Sequence, residues 1–298
     1  MQTPLRSMLF VPGDSEKKLA KAETGEADAL ILDLEDAVAP ERLPFARGLV
    51  LEHLRRTPRG GRQQRWVRIN PLSSAAALPD LAAVVAGAPD GIVLPKTRTA
   101  EDVGRLDHYL TALEQREGVP VGSTRIVTVA TETAVAVLTM HGYVGCSPRL
   151  AGLTWGAEDL SAALGASTNR DESGEFALTY RIARSLCLLT AHAAEVQAID
   201  TLTADFRDGE RLRREVRAAR REGFTGKIAI HPDQVGPINA GFSPDADELR
   251  HAQAVLDAFA AAGGAGAVQL DGQMLDRPHQ VQAARVLAMR RAADAGAG

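Results

Sequence analysis

The sequence predicts an α/β chain folded as a (β/α)8 barrel, and three observations predict it. Eight short apolar or β-branched runs lie between Ser7 and His231. Segments with helical spacing separate them, the alternation expected of parallel strands wrapped by helices. No GxGxxG follows the first run, which counts against the alternative, a doubly wound open sheet.

The elements follow in order. "SMLFV" (7–11) is near-continuously apolar, as suits a parallel strand covered on both faces. A helix is expected at 15–24, with Ser15 as its N-cap. "ALILDL" (29–34) leads to a helix at 41–57, and "WVRIN" (66–70) to one at 74–87. "GIVLP" (91–95) precedes a helix at 99–117, opened by Thr99, and "IVTVAT" (126–131) precedes a short one at 133–141. "LAGLTW" (150–155) is followed by a helix at 175–194, "AIDTL" (198–202) by one at 208–222, and "KIAIH" (227–231) completes the eight. After "AIHPDQV" the pattern changes to a helix at 245–262, a "GGAG" break, a "DG" turn and a helix at 279–294. The expected division is a barrel over 1–242 and a helical extension over 243–298, a lid or an oligomerisation arm. The final "AADAGAG" is expected to fray.

Composition excludes several function classes. Of 298 residues, 45% are hydrophobic and 24% charged, which is ordinary for a globular chain. A net charge of −4 leaves no electrostatic footprint for nucleic acid, and there is no basic stripe with interleaved aromatics. Aromatics at 4% argue against a β-sandwich or a stacking platform. Cys146 and Cys187 stand in no metal-ligand spacing and read as reduced thiols, which fits the cytoplasm. The N-terminal stretch turns charged too soon for a signal peptide, and no apolar run approaches the ~20 residues that span a membrane.

The chemistry-bearing residues fall at one end of the strands. The first run ends in Pro12-Gly13-Asp14, the second in Asp33, Glu35 and Asp36, the third in Arg68 and Asn70, and the fourth in Pro95-Lys96. Glu132 follows the fifth, Glu158 and Asp159 the sixth, Asp200 and Asp205 belong to the seventh, and His231 ends the eighth. In a barrel these ends share one mouth, where such enzymes place their active sites. Two like charges ~4 Å apart repel by roughly 4 kcal/mol at an effective dielectric near 20, so "DLED" needs a reason beyond stability. A hard cation such as Mg2+ supplies one, because it takes one or two carboxylates and keeps water or substrate elsewhere. No HExxH and no His/Cys cluster points to zinc. Arg68, in an apolar strand, suits bidentate pairing with an anionic substrate. Asp33, Glu35 and Asp36 would order metal-bound water or orient Arg68; a helix cap or an ordinary ion pair is the alternative. Strand alternation would send Asp33 and Glu35 one way and Asp36 the other. Lys17 and Lys21, one helical turn apart, suit phosphate groups or a solvated face.

The blocks "RSMLFVPGDSEKKLAKA", "ALILDLEDAVAPE", "WVRIN", "GIVLPKT", "VATETAVAV", "GLTWGAEDLSAALG", "AIHPDQV" and "GQMLDRPH" together resemble the citrate lyase beta-subunit family, whose relatives include malyl-CoA and citramalyl-CoA lyases. They run in order from about residue 6 to about residue 290. The resemblance implies a (β/α)8 TIM barrel, a homotrimer, Mg2+, and a CoA or acyl-carrier thioester as substrate. Residue by residue, it implies Glu132 and Asp159 as metal ligands, Glu132 also lying at the substrate. It implies Arg68 as the substrate clamp. The residues' own pattern adds Asp36 to Arg68 and Asp276 as an expected catalytic residue, acting beside Arg68 or on metal-bound water. Phe10, Lys17, Lys21 and the Ile230-His231 turn fall where relatives hold CoA. Asp276 matches an acid/base residue supplied by a C-terminal lid across the subunit interface. Close relatives carry Tyr at the position of Phe10, so one hydroxyl is missing here.

The implied activity is Mg2+-dependent carbon–carbon cleavage of a β-hydroxyacyl thioester of the citryl, malyl or citramalyl kind, giving a 2-keto acid and an acetyl thioester. Alternatives are thioester hydrolysis, condensation in the malate-synthase direction, and a non-catalytic subunit binding acyl-CoA or a carrier protein. His231, before Pro232, reads as a backbone-fixing or ligand-contacting residue, with a base role the alternative.

Overall fold

The computed structural model describes residues 4–57, 59–263 and 266–295. The chain opens with β1 (Ser7–Pro12), α1 (Glu16–Glu23), β2 (Ala29–Asp33), α2 (Leu43–Arg56), β3 (Gln64–Arg68) and α3 (Ala77–Val84). It continues through β4 (Gly91–Leu94), α4 (Ala100–Glu117), β5 (Arg125–Val129), α5 (Ala134–Leu138), β6 (Leu150–Thr154), α6 (Ala157–Leu164) and α7 (Leu178–Ala193). Then come β7 (Gln197–Asp200), α8 (Gly209–Glu222), β8 (Gly226–Ala229) and α9 (Pro232–Phe242). The eight parallel strands form a closed barrel in chain order, sealed where Ser7, Met8 and Leu9 pair with Lys227, Ile228 and Ala229.

Alternation along the strands creates two apolar cores. Met8, Ile31, Trp66, Val127 and Ile228 fill the barrel. Leu9, Leu30, Leu32, Val67 and Ile92 point outward to the helices. The same alternation corrects one expectation: Asp200 does not reach the mouth. Ile199 faces inward, so Asp200 lies on the outer face, accepting from Trp155 Nε1 at 2.7 Å and pairing with Arg184 and Lys227.

Two helices were not expected. Between β6 and β7 the chain forms α6 as well as α7, because Gly156 and Gly165 bound a separate short helix; Gly165 has φ +67 at its C-cap. After β8, α9 starts with Pro232 at its first turn and tolerates Pro237, so residues that read as breakers sit inside a helix. In the tail, α10 (Ala246–Ala261) and α11 (Arg277–Ala295) flank a hairpin of β9 (Ala267–Leu270) and β10 (Gln273–Asp276). Asp271 and Gly272, both at positive φ, make its turn. Leu275 packs with Val255 and Phe259 in a small core of the tail's own. Residues 292–295 of "AADAGAG" belong to α11; its last three residues, and residues 264–265 of the "GGAG" break, lie outside the described residues. Among the described residues no helix is long and apolar enough to cross a membrane.

His53 of α2 is wholly buried, with Nδ1 3.0 Å from Glu23 Oε1 of α1. Burial lowers its pKa below the ordinary 6.5 and outweighs the Glu23 charge. The unfolded chain therefore binds a proton there more readily, so stability is lost as the pH falls below about 6.5. His53→Phe should flatten the dependence of melting temperature on pH between about 6.5 and 5, measured by calorimetry.

Candidate active site

The mouth is assembled from what each strand carries just past its last pair. Asp33 closes β2 and Arg68 closes β3, and the two are register partners. Their side chains both turn inward, so the guanidinium meets the carboxylate twice: Arg68 Nε to Asp33 Oδ1 and Nη2 to Asp33 Oδ2, each 2.7 Å. Asp33 also accepts from the backbone N–H groups of Glu35 and Ala37 at 3.0 and 3.1 Å. One carboxylate thus orders both the arginine and the loop bearing the next two acids. Gly13 makes the neighbouring turn possible, because a Cβ there would lie 2.5 Å from Asp33 O.

Arg68 Nη1 lies 2.9 Å from Glu35 Oε2 and 3.7 Å from Asp36 Oδ2. Its guanidinium carbon stands 4.5 Å over the Phe10 ring, a cation–π contact from the barrel interior. Burial works against the Arg68 charge, but its hydrogen bonds to Asp33 and the charges of Asp33, Glu35 and Asp36 raise its pKa overall. Alternation alone does not separate Asp36 from its neighbours: β2 ends at Asp33, and the loop turns Asp36 back toward Arg68. Asn70 turns away, donating to Leu34 O and Asp80.

Glu132 lies in the loop between β5 and the Thr133 N-cap of α5 and is buried. Asp159 sits in the first turn of α6, where the helix macrodipole favours an acid. Gly156 leaves room for Glu132, since a Cβ there would stand 3.3 Å from Glu132 Cγ, tighter than ordinary contact. Burial pushes the Glu132 carboxyl up to about 8; the Lys96 N–H works against this, and the Asp159 and Glu35 charges add to it. A buried acid with a second carboxylate beside it fits a hard dication, which would relieve that repulsion. Among the described residues no three His, Cys, Asp or Glu side chains group to hold a metal alone. The fit is therefore to an ion with two protein carboxylates and its other positions left for water or substrate.

The sequence reading assigned Lys96 no role. Its Nζ lies 2.5 Å from Glu35 Oε1, 3.1 Å from Asp36 Oδ1 and 3.7 Å from Asp159 Oδ1, and its backbone N–H donates to Glu132 Oε2. The available signal was a lone basic residue immediately past a barrel strand.

Other expected residues are placed differently. Lys17 and Lys21 are exposed one helical turn apart on α1, and Lys21 lines a small pocket with Leu9 of β1 and Pro232 and Val235 of α9. His231 caps α9, its Nδ1 accepting from the Asp233 N–H at 3.2 Å, and its ring stacks on Phe206 with centroids 4.6 Å apart. Ile230 N–H donates to Gln234 Oε1 at 2.8 Å. Asp276 is not brought to the mouth of its own barrel by any of its hydrogen bonds. It ends β10, 48% exposed, with Oδ1 2.6 Å from His279 Nδ1.

Comparison with known proteins places the whole barrel in one family. Residues 6–232 match the HpcH/HpaI aldolase/citrate lyase family. Citrate lyase subunit beta of Haemophilus influenzae is 34% identical over 275 residues, 92% of each chain. A (3S)-malyl-CoA thioesterase of Cereibacter sphaeroides is 34% identical over 287 residues, 96% of this chain and 94% of that protein. Among solved structures, protein CitE from Mycobacterium tuberculosis in complex with magnesium, acetoacetate and coenzyme A superposes with a TM-score of 0.78. It is 33% identical, over 96% of this chain and 98% of that one. A citrate lyase beta subunit from the same organism, complexed with oxaloacetate and magnesium, gives 0.67 at 34% identity, over 80% of this chain and 97% of that one. With a family match running from the first barrel strand to the start of α9, and relatives aligned over nearly their whole length, this chain belongs to the HpcH/HpaI aldolase/citrate lyase family.

Proposed function

We propose that this protein is a Mg2+-dependent carbon–carbon lyase that cleaves a β-hydroxyacyl thioester of the citryl-, malyl- or citramalyl-CoA kind into a 2-keto acid and an acetyl thioester. One observation carries the reading: Glu132 and Asp159 share the barrel mouth with a doubly braced Arg68, in a chain related to citrate lyase beta subunits over most of its length. Glu132 and Asp159 would hold the cation, which supplies Lewis-acid stabilisation of charge on the keto-acid oxygens. Arg68 binds and orients the keto-acid half, since Asp33 leaves the guanidinium no freedom to swing away. Asp36 supports that clamp from the rim.

The thioester arm runs along the β1–β8 side, past Phe10, Lys17, Lys21, Ile230 and His231. The exposure of Lys17 and Lys21 and the pocket that Lys21 shares with Leu9 and Pro232 support this, as does the coenzyme A bound by the related CitE. Cleavage breaks the C–C bond as the β-hydroxyl gives up its proton to become the keto group, and the electron pair left on the acetyl carbon takes up a proton. Asp276 is the proposed acid/base, returning to that carbon the proton the hydroxyl loses, and is carried by the 243–298 tail of a neighbouring copy acting as a lid in a homotrimer. Free Cys146 and Cys187 suit work in a reducing cytoplasm. Thioester hydrolysis is the second reading, favoured by the malyl-CoA thioesterase relative. An acyl-carrier protein is the alternative bearer of the thioester.

Titration calorimetry tests the reading with oxaloacetate, pyruvate and glyoxylate, each with Mg2+ and after EDTA. One keto acid should bind only with the metal present, and turnover of the matching acyl-CoA should release it together with acetyl-CoA. Absence of binding by all three in the presence of Mg2+ would overturn the lyase assignment.

A further inference from the structure

Lys96 is the basic residue at the mouth that the proposed chemistry leaves unused. Its ammonium stands between two groups of acids, Glu35 and Asp36 on one side and Asp159 on the other, while its own N–H holds Glu132. One residue therefore touches both proposed metal ligands and both acids that flank Arg68. Its backbone sits at φ +51, a left-handed conformation that residues other than glycine seldom adopt. Buried hydroxyls pin the turn from behind: Thr97 donates to Val129 O and Tyr143 donates to Thr97, each at 2.9 Å.

We propose that Lys96 is a built-in counter-cation. It neutralises Asp159 and the Glu35–Asp36 pair in the metal-free protein, releases Asp159 when the divalent cation enters, and so sets how tightly that cation is held. The inference rests on Glu132 and Asp159 being the ligands. Its physical ground is the balance of charge. Among the described residues, the ion pairs of Asp33, Glu35, Asp36 and Asp159 in this cluster run to Arg68 and Lys96. Arg68 is committed to Asp33 by two hydrogen bonds, so Lys96 is the cation that serves Asp159. A dication arriving there meets a fixed positive charge a few ångströms away, where like charges still repel strongly in a partly desolvated site. The consequence is a metal that exchanges readily and a mouth that keeps its shape without it. Lys96 is thus a positioning residue.

The test is calorimetric titration of MgCl2, then MnCl2, into the substrate-free full chain of the wild type, Lys96→Gln, Lys96→Gly and Lys96→Arg. Both neutral variants should bind Mg2+ at least about tenfold more tightly, and Lys96→Arg should stay within about threefold of wild type. The metal-free neutral variants should melt lower than wild type, and saturating Mg2+ should close the gap. Lys96→Gly relieves the positive φ, so one neutral variant is free of backbone strain. Unchanged or weakened Mg2+ binding in the folded neutral variants overturns the proposal, since a merely structural lysine predicts weakening. A wild type that binds neither ion overturns the ligand assignment itself, a result distinct from failure of the Lys96 role alone.

Discussion

Arg68→Met will unfold more easily than any other single change at the mouth, losing about 3–5 kcal/mol, and will lose roughly 10²–10³ in kcat/KM. The stability loss comes from what is left behind. Asp33 is 1% exposed and Arg68 14% exposed, so removing the guanidinium strands a buried carboxylate with only two backbone N–H donors. Glu35, also buried, loses its 2.9 Å partner. The loss of rate has a separate origin, the missing bidentate clamp on the keto acid. The double variant Arg68→Met/Asp33→Asn separates the two effects. It should recover most of the stability, because no buried charge is left unpaired, and none of the rate. Arg68→Lys should keep much of the stability yet lose activity, since an ammonium cannot make the two parallel hydrogen bonds. Chemical denaturation beside steady-state kinetics decides this; recovery of rate in the double variant would remove Arg68 from the substrate site.

Glu132→Gln should act in opposite directions on metal binding and on stability. It removes a proposed ligand, so Mg2+ affinity should fall by at least about 100-fold and kcat/KM by roughly 10³. The metal-free variant should nevertheless melt higher, by about 2–4 °C. Burial pushes the native carboxyl up to about 8 against an ordinary 4.5. Between those values the folded protein holds a proton that the unfolded chain has released, so the wild-type site costs stability increasingly as the pH rises toward 8. A glutamine of the same shape still accepts the Lys96 N–H and carries no charge to desolvate. Melting curves at pH 6 and about 8, with Mg2+ and with EDTA, should show the advantage growing with pH in EDTA and vanishing or reversing with the metal. A lower melting temperature for the metal-free variant throughout that range would mean that the carboxylate stabilises the barrel rather than waits for a cation.

Part of this site is legible from residue order. "ALILDLED" was legible because an apolar strand that ends in acids contradicts stability alone, and the contradiction marked the mouth. Arg68 was legible because a charge in an apolar strand must have a partner. Glu132 and Asp159 stand apart from other acids only through the family blocks around them, since each also suits a helix N-terminus. Lys96 reads from sequence only as a strand end, because its partners come from three other barrel units and no local spacing relates them. Asp200 was misplaced because strand alternation gives two sides without saying which faces the axis. Both α6 and α9 were missed because the Gly and Pro residues that end or kink most helices here bound or interrupt short ones.

The order of residues by itself determined the eight strands, the helices between most of them, the placement of polar residues at strand ends and the family, because all four are periodic or contiguous signals. Tertiary structure alone decided the rest. Closure of β8 on β1 turned a row of strand ends into a ring, and the shared register of Asp33 and Arg68 turned two charges into a bidentate pair. The left-handed turn at Lys96 joined Glu35 and Asp36, which flank that pair, to Glu132 and Asp159. Asp276, by contrast, lies beside His279 in a tail with its own small core. The physical reason is the range of the forces: hydrophobic periodicity acts between residues a few positions apart, whereas an ion pair depends only on distance in space, which the closed barrel sets.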